Sequence, residues 1–351
     1  MKKLGSSMSR RQVLRGTAAS ALAIVAPAIS NRALAEDSIV FAGYGGSNQE
    51  FQDKAFIKPF EKETGIKVVQ TSGIDLARLK AMVTTQNLEW DVMNLAGVYA
   101  NVADKTGLLD PIDTKIVDTS DMLVKPTASV MPIYSYYAGI AYNPTRVPGG
   151  KFPMNWPEFW DVAKFPGKRS MRSEPYETLE MALMADGVSP KNLYPLDVDR
   201  AFKMLDKIKP HVLKWGISQD AITLLQRNEV VYSYAFGGRV LAMKSAGVPM
   251  EIHRKSTLIT PGNFVLPKGS KKRDIAMKFI AFSMRPDRQA EFCELQPGYS
   301  PSKRAALPLL SRATQDMQPD VDDPGTIVVD LGYWAEHYDK IALRFKEWML
   351  T

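Results

Sequence analysis

From Ser38 onward, short β-rich runs alternate with stretches at helical spacing, and this alternation constrains the fold more than any other feature. Residues 38–42 are β-rich, Gly43-Tyr44-Gly45-Gly46-Ser47 is a loop, and residues 49–63 carry Phe51, Ala55, Phe56 and Phe60 near a helical period. The pattern returns as a strand over 67–70, a helix over 76–85 and a strand over 90–94. A strand that rejoins its sheet through a covering helix runs parallel to its predecessor, so the expected class is α/β.

The alternation breaks once and then restarts. IYSYYAGIAY, residues 133–142, has no helical period and reads as an extended crossing strand, closed by Asn143-Pro144 and Pro148-Gly149-Gly150. A second series follows: a helix over 157–163, a strand over 169–172, helices over 176–185 and 198–208, and a β-rich run over 229–235. That run closes at Phe236-Gly237-Gly238-Arg239, before a helix over 240–246. The chain is expected to cross back near 259–263. Two lobes result, each a mixed sheet flanked by helices: residues 36–135 with 260–300, and 136–259 with 301–351. In the last helix Trp334, Tyr338, Ile341, Phe345 and Trp348 form one stripe, which reads as packing.

Before this fold stands a segment of different chemistry. Lys2, Lys3, Arg10, Arg11 and Arg15 precede an apolar run over 16–29 and then Ala33-Leu34-Ala35, the order of a secretory signal peptide with cleavage expected after Ala35. Ser9-Arg10-Arg11-Gln12-Val13-Leu14 also fits the twin-arginine pattern. Six of the 45 basic residues lie here and none of the 38 acidic ones, so the remaining chain is close to neutral and a nucleic-acid partner is not expected. Cys293 is the single cysteine and cannot form an intramolecular disulfide, so stability must come from buried cores.

Catalytic chemistry has no visible basis. His211, His253 and His337 are isolated, and no metal-ligand spacing accompanies them. There is no G-x-S-x-G elbow, and the Gly43–Asn48 stretch lacks the third glycine of a dinucleotide fingerprint, so no metal or cofactor is expected. The Tyr44-Gly45-Gly46 loop between strand and helix serves either as a tight turn or as a set of backbone donors facing a crevice. Ser72 and Ala96, just past the next two strands, belong to the same candidate rim.

FIKPFEKETGIKV (56–68), WDVMNLAGVYA (90–100), NWPEFW (155–160), KFIAFSMRPDRQAEF (278–292) and PGYSPSKRAA (297–306) resemble the spermidine/putrescine-binding proteins of bacterial ABC transporters. The resemblance runs from about Phe41 to the C-terminus. It implies a two-lobed periplasmic binding protein of type II, with a ligand cleft between the lobes, that hands its solute to a membrane permease and works as a monomer. It also implies aromatic faces around the ligand's methylenes, at Tyr44 and Tyr299, and acidic side chains at each ammonium, at Glu174 and Glu177. As carboxylates in a helix's first turn, those two would also contribute about 0.3–1 kcal/mol locally.

The departures from that family concern charge. Phe236-Gly237-Gly238-Arg239 has phenylalanine where the family has tryptophan, and arginine where the putrescine type has a carboxylate. Thr260-Pro261-Gly262 stands where the family has tryptophan and, two residues on, aspartate. A guanidinium at ~4 Å from a second ammonium would repel it by about 4 kcal/mol at an effective dielectric near 20. Arg239, or Arg172 at the tip of its strand, suits a carboxylate instead. The expected solute is therefore a short ω-amino acid such as γ-aminobutyrate, with putrescine or spermidine as the alternative. Trp215, in a presumed loop, and Ser218 complete the candidate lining. A secreted enzyme or a receptor-linked binder on the same scaffold remain as other readings.

Overall fold

The computed structural model describes residues 38–350, so the leader and its cleavage site lie outside the described residues. In the first lobe β1 (Ser38–Gly43) leads through α1 (Gly46–Gln52), a π turn (Asp53–Ile57) and α2 (Lys58–Thr64) to β2 (Lys67–Ser72). Then come α3 (Leu76–Thr85), β3 (Val92–Ala96), α4 (Gly97–Lys105) and the short β4 (Leu109–Asp110). β1 pairs parallel with both β2 and β3, as helix-covered returns require.

The crossing strand β5 is longer than its aromatic core suggests, spanning Met131–Tyr142. The second lobe contains α5 (Trp156–Trp160), β6 (Arg169–Arg172), α6 (Thr178–Ala185), α7 (Val198–Ile208) and β7 (Val212–Trp215). It continues with α8 (Ser218–Gln226), β8 (Tyr232–Phe236), α9 (Gly237–Ser245) and β9 (Glu251–Ile252). Helix α5 stops well short of residue 163 because the buried Arg169 takes its last carbonyls, with Nε donating to Phe159 O at 3.0 Å. The helix expected over 240–246 begins earlier, with Gly237, Gly238 and Arg239 in the first turn of α9.

β10 (Leu258–Pro267) returns to the first lobe and is followed by α10 (Arg273–Ser283), α11 (Pro286–Leu295), β11 (Tyr299–Pro301), α12 (Arg312–Asp316), β12 (Ile327–Val328) and α13 (Leu331–Leu350). The central order is β2-β1-β3-β10-β5-β8-β6-β7. β10 is antiparallel to both β3 and β5, and β5 is antiparallel to β8, so these two long strands carry the sheet from one lobe into the other.

Separate cores sit on either side of that crossing. Phe41, Phe56, Phe60, Phe264, Phe279 and Phe292 fill one face of the first lobe; Leu79, Met82, Trp90 and Met93 fill the other. The second-lobe core joins Trp156, Phe159, Leu179 and Phe202 with Trp334, Ile341 and Phe345 of α13. The stripe on the last helix is thus packing. The segment after Tyr299 does not go wholly with the second lobe: Ala306 and Leu310 are buried in the first-lobe core, where α11 offers them apolar surface.

Gly262 does not line the cleft. A Cβ there would lie 2.2 Å from the Tyr134 ring, at a point where the β10–β5 register shifts. Gly262→Ala should cost about 1–3 kcal/mol by overpacking, seen as a lower denaturant midpoint. An unchanged midpoint would mean that the ring moves freely.

Candidate ligand-binding cleft

A cavity of about 610 Å³ opens between the lobes, within the size range of roughly 300–1,000 Å³ common for small-molecule sites. The first lobe contributes the Tyr44–Asn48 loop, Phe51, Ala96, Tyr99 and residues 295–297 with Tyr299; Tyr136 comes from the crossing strand. Opposite stand Arg172, Tyr176, Ser218, Phe236, Gly238, Arg239 and Ala242. The wall follows from topology: β1, β3, β6 and β8 all end at the crevice, so residues at their carboxyl ends face it.

The two sides approach closely at one edge. Gly298, at φ 81°, has its Cβ position 2.8 Å from Gly238 N, so any side chain there would push the 296–299 loop off the start of α9. Tyr44 is fixed on the other rim by accepting a hydrogen bond from Ala96 N–H at 2.9 Å. Tyr99, Tyr136 and Tyr176 are lining residues that sequence reasoning missed. Tyr136 was visible inside the aromatic crossing strand, but its facing depended on the strand's register.

Arg172 is the cation built into this wall. Its side chain is 17% exposed and lies over the rings of Tyr176 at 4.4 Å and Phe236 at 5.4 Å. Nη1 donates to Glu177 Oε2 at 3.0 Å, whereas Nε has no hydrogen-bond partner. Because Nε is buried, an anionic oxygen in the cleft would meet the part of the guanidinium that lines the wall. Arg239, by contrast, is an exposed residue in the first turn of α9.

The acidic side chains expected to face the ligand do not. Glu177 is fully buried behind Arg172, and its carboxylate also accepts from Tyr234 Oη at 2.6 Å and Thr260 Oγ1 at 2.8 Å. It adopts φ 69° at the start of α6, an uncommon conformation for a non-glycine residue that points to a surrounding structure holding it there. Glu174 accepts from Tyr338 Oη at 3.0 Å and is not part of the lining. A carboxylate at a helix start found protein partners before it could find a ligand.

Two other expectations are corrected by packing. Trp215 ends a strand, is 2% exposed and stacks on Tyr234 at 5.9 Å, so it supports the wall from behind. Ser72 opens onto a separate surface hollow beside Glu50 and Asp53. Tyr44, Gly45, Gly46, Ala96, Arg172, Ser218, Phe236, Arg239 and Tyr299 do converge on the cavity.

Burial pushes the phenols of Tyr136 and Tyr176 well above their usual value and that of Tyr299 up to about 12, so these three are neutral. Among the described residues no cluster of His, Cys, Asp and Glu suited to a metal ion is present. The cavity can therefore offer a fixed cation, aromatic faces, amides and backbone donors.

Residues 55–321 match the model of the bacterial extracellular solute-binding protein family. The chain belongs to that family. This solute-binding protein is 32% identical to the gamma-aminobutyric acid-binding protein of Pseudomonas aeruginosa, over 89% of its length and 90% of the relative. It is 26% identical to the spermidine/putrescine-binding periplasmic protein of Escherichia coli K12, over 75% and 78% of the two chains. The solved Atu4243-GABA receptor superposes with a TM-score of 0.82 at 34% identity, covering 89% of the solute-binding protein and 97% of the receptor. The two-lobed architecture and the polyamine-binder resemblance are both supported by these likenesses.

Proposed function

We propose that this protein is exported to the periplasm, captures a short ω-amino carboxylate such as γ-aminobutyrate between its lobes, and delivers it unchanged to the permease of an ABC importer. The observation that carries the ligand assignment is Arg172: a largely buried guanidinium, braced by Glu177, that lines a cavity wall containing no carboxylate. A diamine would bring two ammonium groups into a cleft that has two arginines and nothing acidic in its lining. The relatives support the same choice, since identity is higher to the gamma-aminobutyric acid-binding protein, at 32%, than to the spermidine/putrescine-binding protein, at 26%.

Calorimetric titration of the mature protein with γ-aminobutyrate, putrescine and spermidine tests the assignment. Tight binding of the amino acid alone is the expected result; preferential binding of either polyamine overturns it. Arg239→Ala should weaken γ-aminobutyrate by less than about tenfold, and less again in high salt, because an exposed charge is screened. A loss as large as that for Arg172 would make Arg239 the anchor.

A further inference from the structure

We propose that the cleft holds the cationic end of its ligand on aromatic faces, and that it therefore accepts N-methylated ω-amino acids, up to trimethylammonium carboxylates, as well as the free amine. This rests on Arg172 receiving the carboxylate, as argued above. With that end fixed, the opposite end of the ligand meets a wall without Asp or Glu among the described residues. Glu177 and Glu174 are spent on Arg172, Tyr234, Thr260 and Tyr338. Beside the hydroxyls of Ser47 and Ser218 and the amides of Asn48 and Gln296, what remains is mainly aromatic: Arg172 lies over Tyr176 and Phe236, leaving Tyr44, Tyr99, Tyr136 and Tyr299. Tyr136 and Tyr299 face one another at 6.2 Å with planes tilted by 48°.

Neutral phenol rings attract a cation through their quadrupole but give a primary ammonium few acceptors for its three N–H groups. Desolvating those N–H groups without replacement is costly. Methylation removes the N–H groups and keeps the charge, so the same rings suit a quaternary ammonium at least as well. The cavity, at about 610 Å³, leaves room for the added methyl groups.

The test compares three ligands by calorimetry on the mature full-length protein: 4-aminobutyrate, 4-(trimethylammonio)butyrate and 5,5-dimethylhexanoate, which replaces the quaternary nitrogen by carbon. The trimethylammonium compound should bind within about tenfold of the parent amino acid or more tightly. The isostere, which lacks the positive charge, should bind at least about tenfold more weakly than the trimethylammonium compound. Tyr44→Leu, a change on the half-exposed rim, should weaken the trimethylammonium ligand more than the isostere. A loss of about a hundredfold on trimethylation, with 4-aminobutyrate still bound, overturns this proposal, because it places hydrogen-bond acceptors such as the Asn48 amide at the amine. That result leaves the Arg172 reading standing. Equal binding of the isostere and the quaternary ligand also overturns it, and failure of all three carboxylates overturns both readings.

Discussion

Replacing Arg172 by alanine should lower γ-aminobutyrate affinity by about a hundredfold or more. Truncating one partner of a buried, hydrogen-bonded charge pair costs about 2–5 kcal/mol, and each 1.4 kcal/mol is tenfold in affinity. The substitution also strands the buried Glu177 carboxylate, and a buried charge left alone destabilises by about 3–5 kcal/mol. Loss of binding must therefore be separated from loss of fold. Arg172→Lys keeps a positive charge beside Glu177 but lacks the planar fork, so it should remain folded and still lose most affinity. The double change Arg172→Ala with Glu177→Gln removes both charges, should recover thermal stability relative to the single alanine, and should not bind. Folded variants that retain wild-type affinity in calorimetry would refute the carboxylate anchor.

Stability should fall between about pH 4.5 and pH 7, and Glu180→Gln should abolish most of that fall. Glu180 is fully buried on α6, and burial lifts its carboxyl to about 7 from an ordinary 4.5, although hydrogen bonds from Tyr194 and Trp334 act in the opposite direction. Its Oε1 accepts from Tyr194 Oη at 2.6 Å and from Trp334 Nε1 at 2.5 Å, while Oε2 has no partner. Because the folded chain holds this proton more tightly than the unfolded chain, the stabilisation is full below pH 4.5. It drains away as pH rises towards 7. The difference of about 2.5 pKa units corresponds to about 3 kcal/mol between the two limits. Chemical denaturation at several pH values reads the slope directly. A glutamine variant that keeps the wild-type slope would assign the titration elsewhere.

How much of this was legible in the sequence differs between scaffold and site. Helices α3 and α7 and strand β6 fall where periodicity and β-propensity put them, because each has one apolar face or a short β-rich run with clear punctuation. Crossing strands β5 and β10 were legible in position but not in extent. Their ends are set by pairing with β3, β8 and β9, and such pairing leaves no local mark on the chain. Tyr44, Tyr299 and Phe236 were found as lining residues through the family resemblance, and Arg172 because it lies at a strand end that the fold class turns towards the crevice.

Electrostatic roles were not legible. Glu177 and Arg172 are five residues apart, and nothing local shows that one neutralises the other or that Tyr234 and Thr260 supply further donors from distant strands. The sequence by itself determined the α/β class, the two crossings and the family. These depend on patterns that neighbouring residues set through their own spacing and chemistry. Only the tertiary structure decided that Arg172 lies buried in the wall while Arg239 stays exposed, and that Glu177 serves the protein instead of the ligand. A carboxylate's partner is whichever donor the fold brings within hydrogen-bond reach, and the donors here come from β6, β8 and β10, which are far apart in the chain and come within reach of one carboxylate only once the sheet has formed.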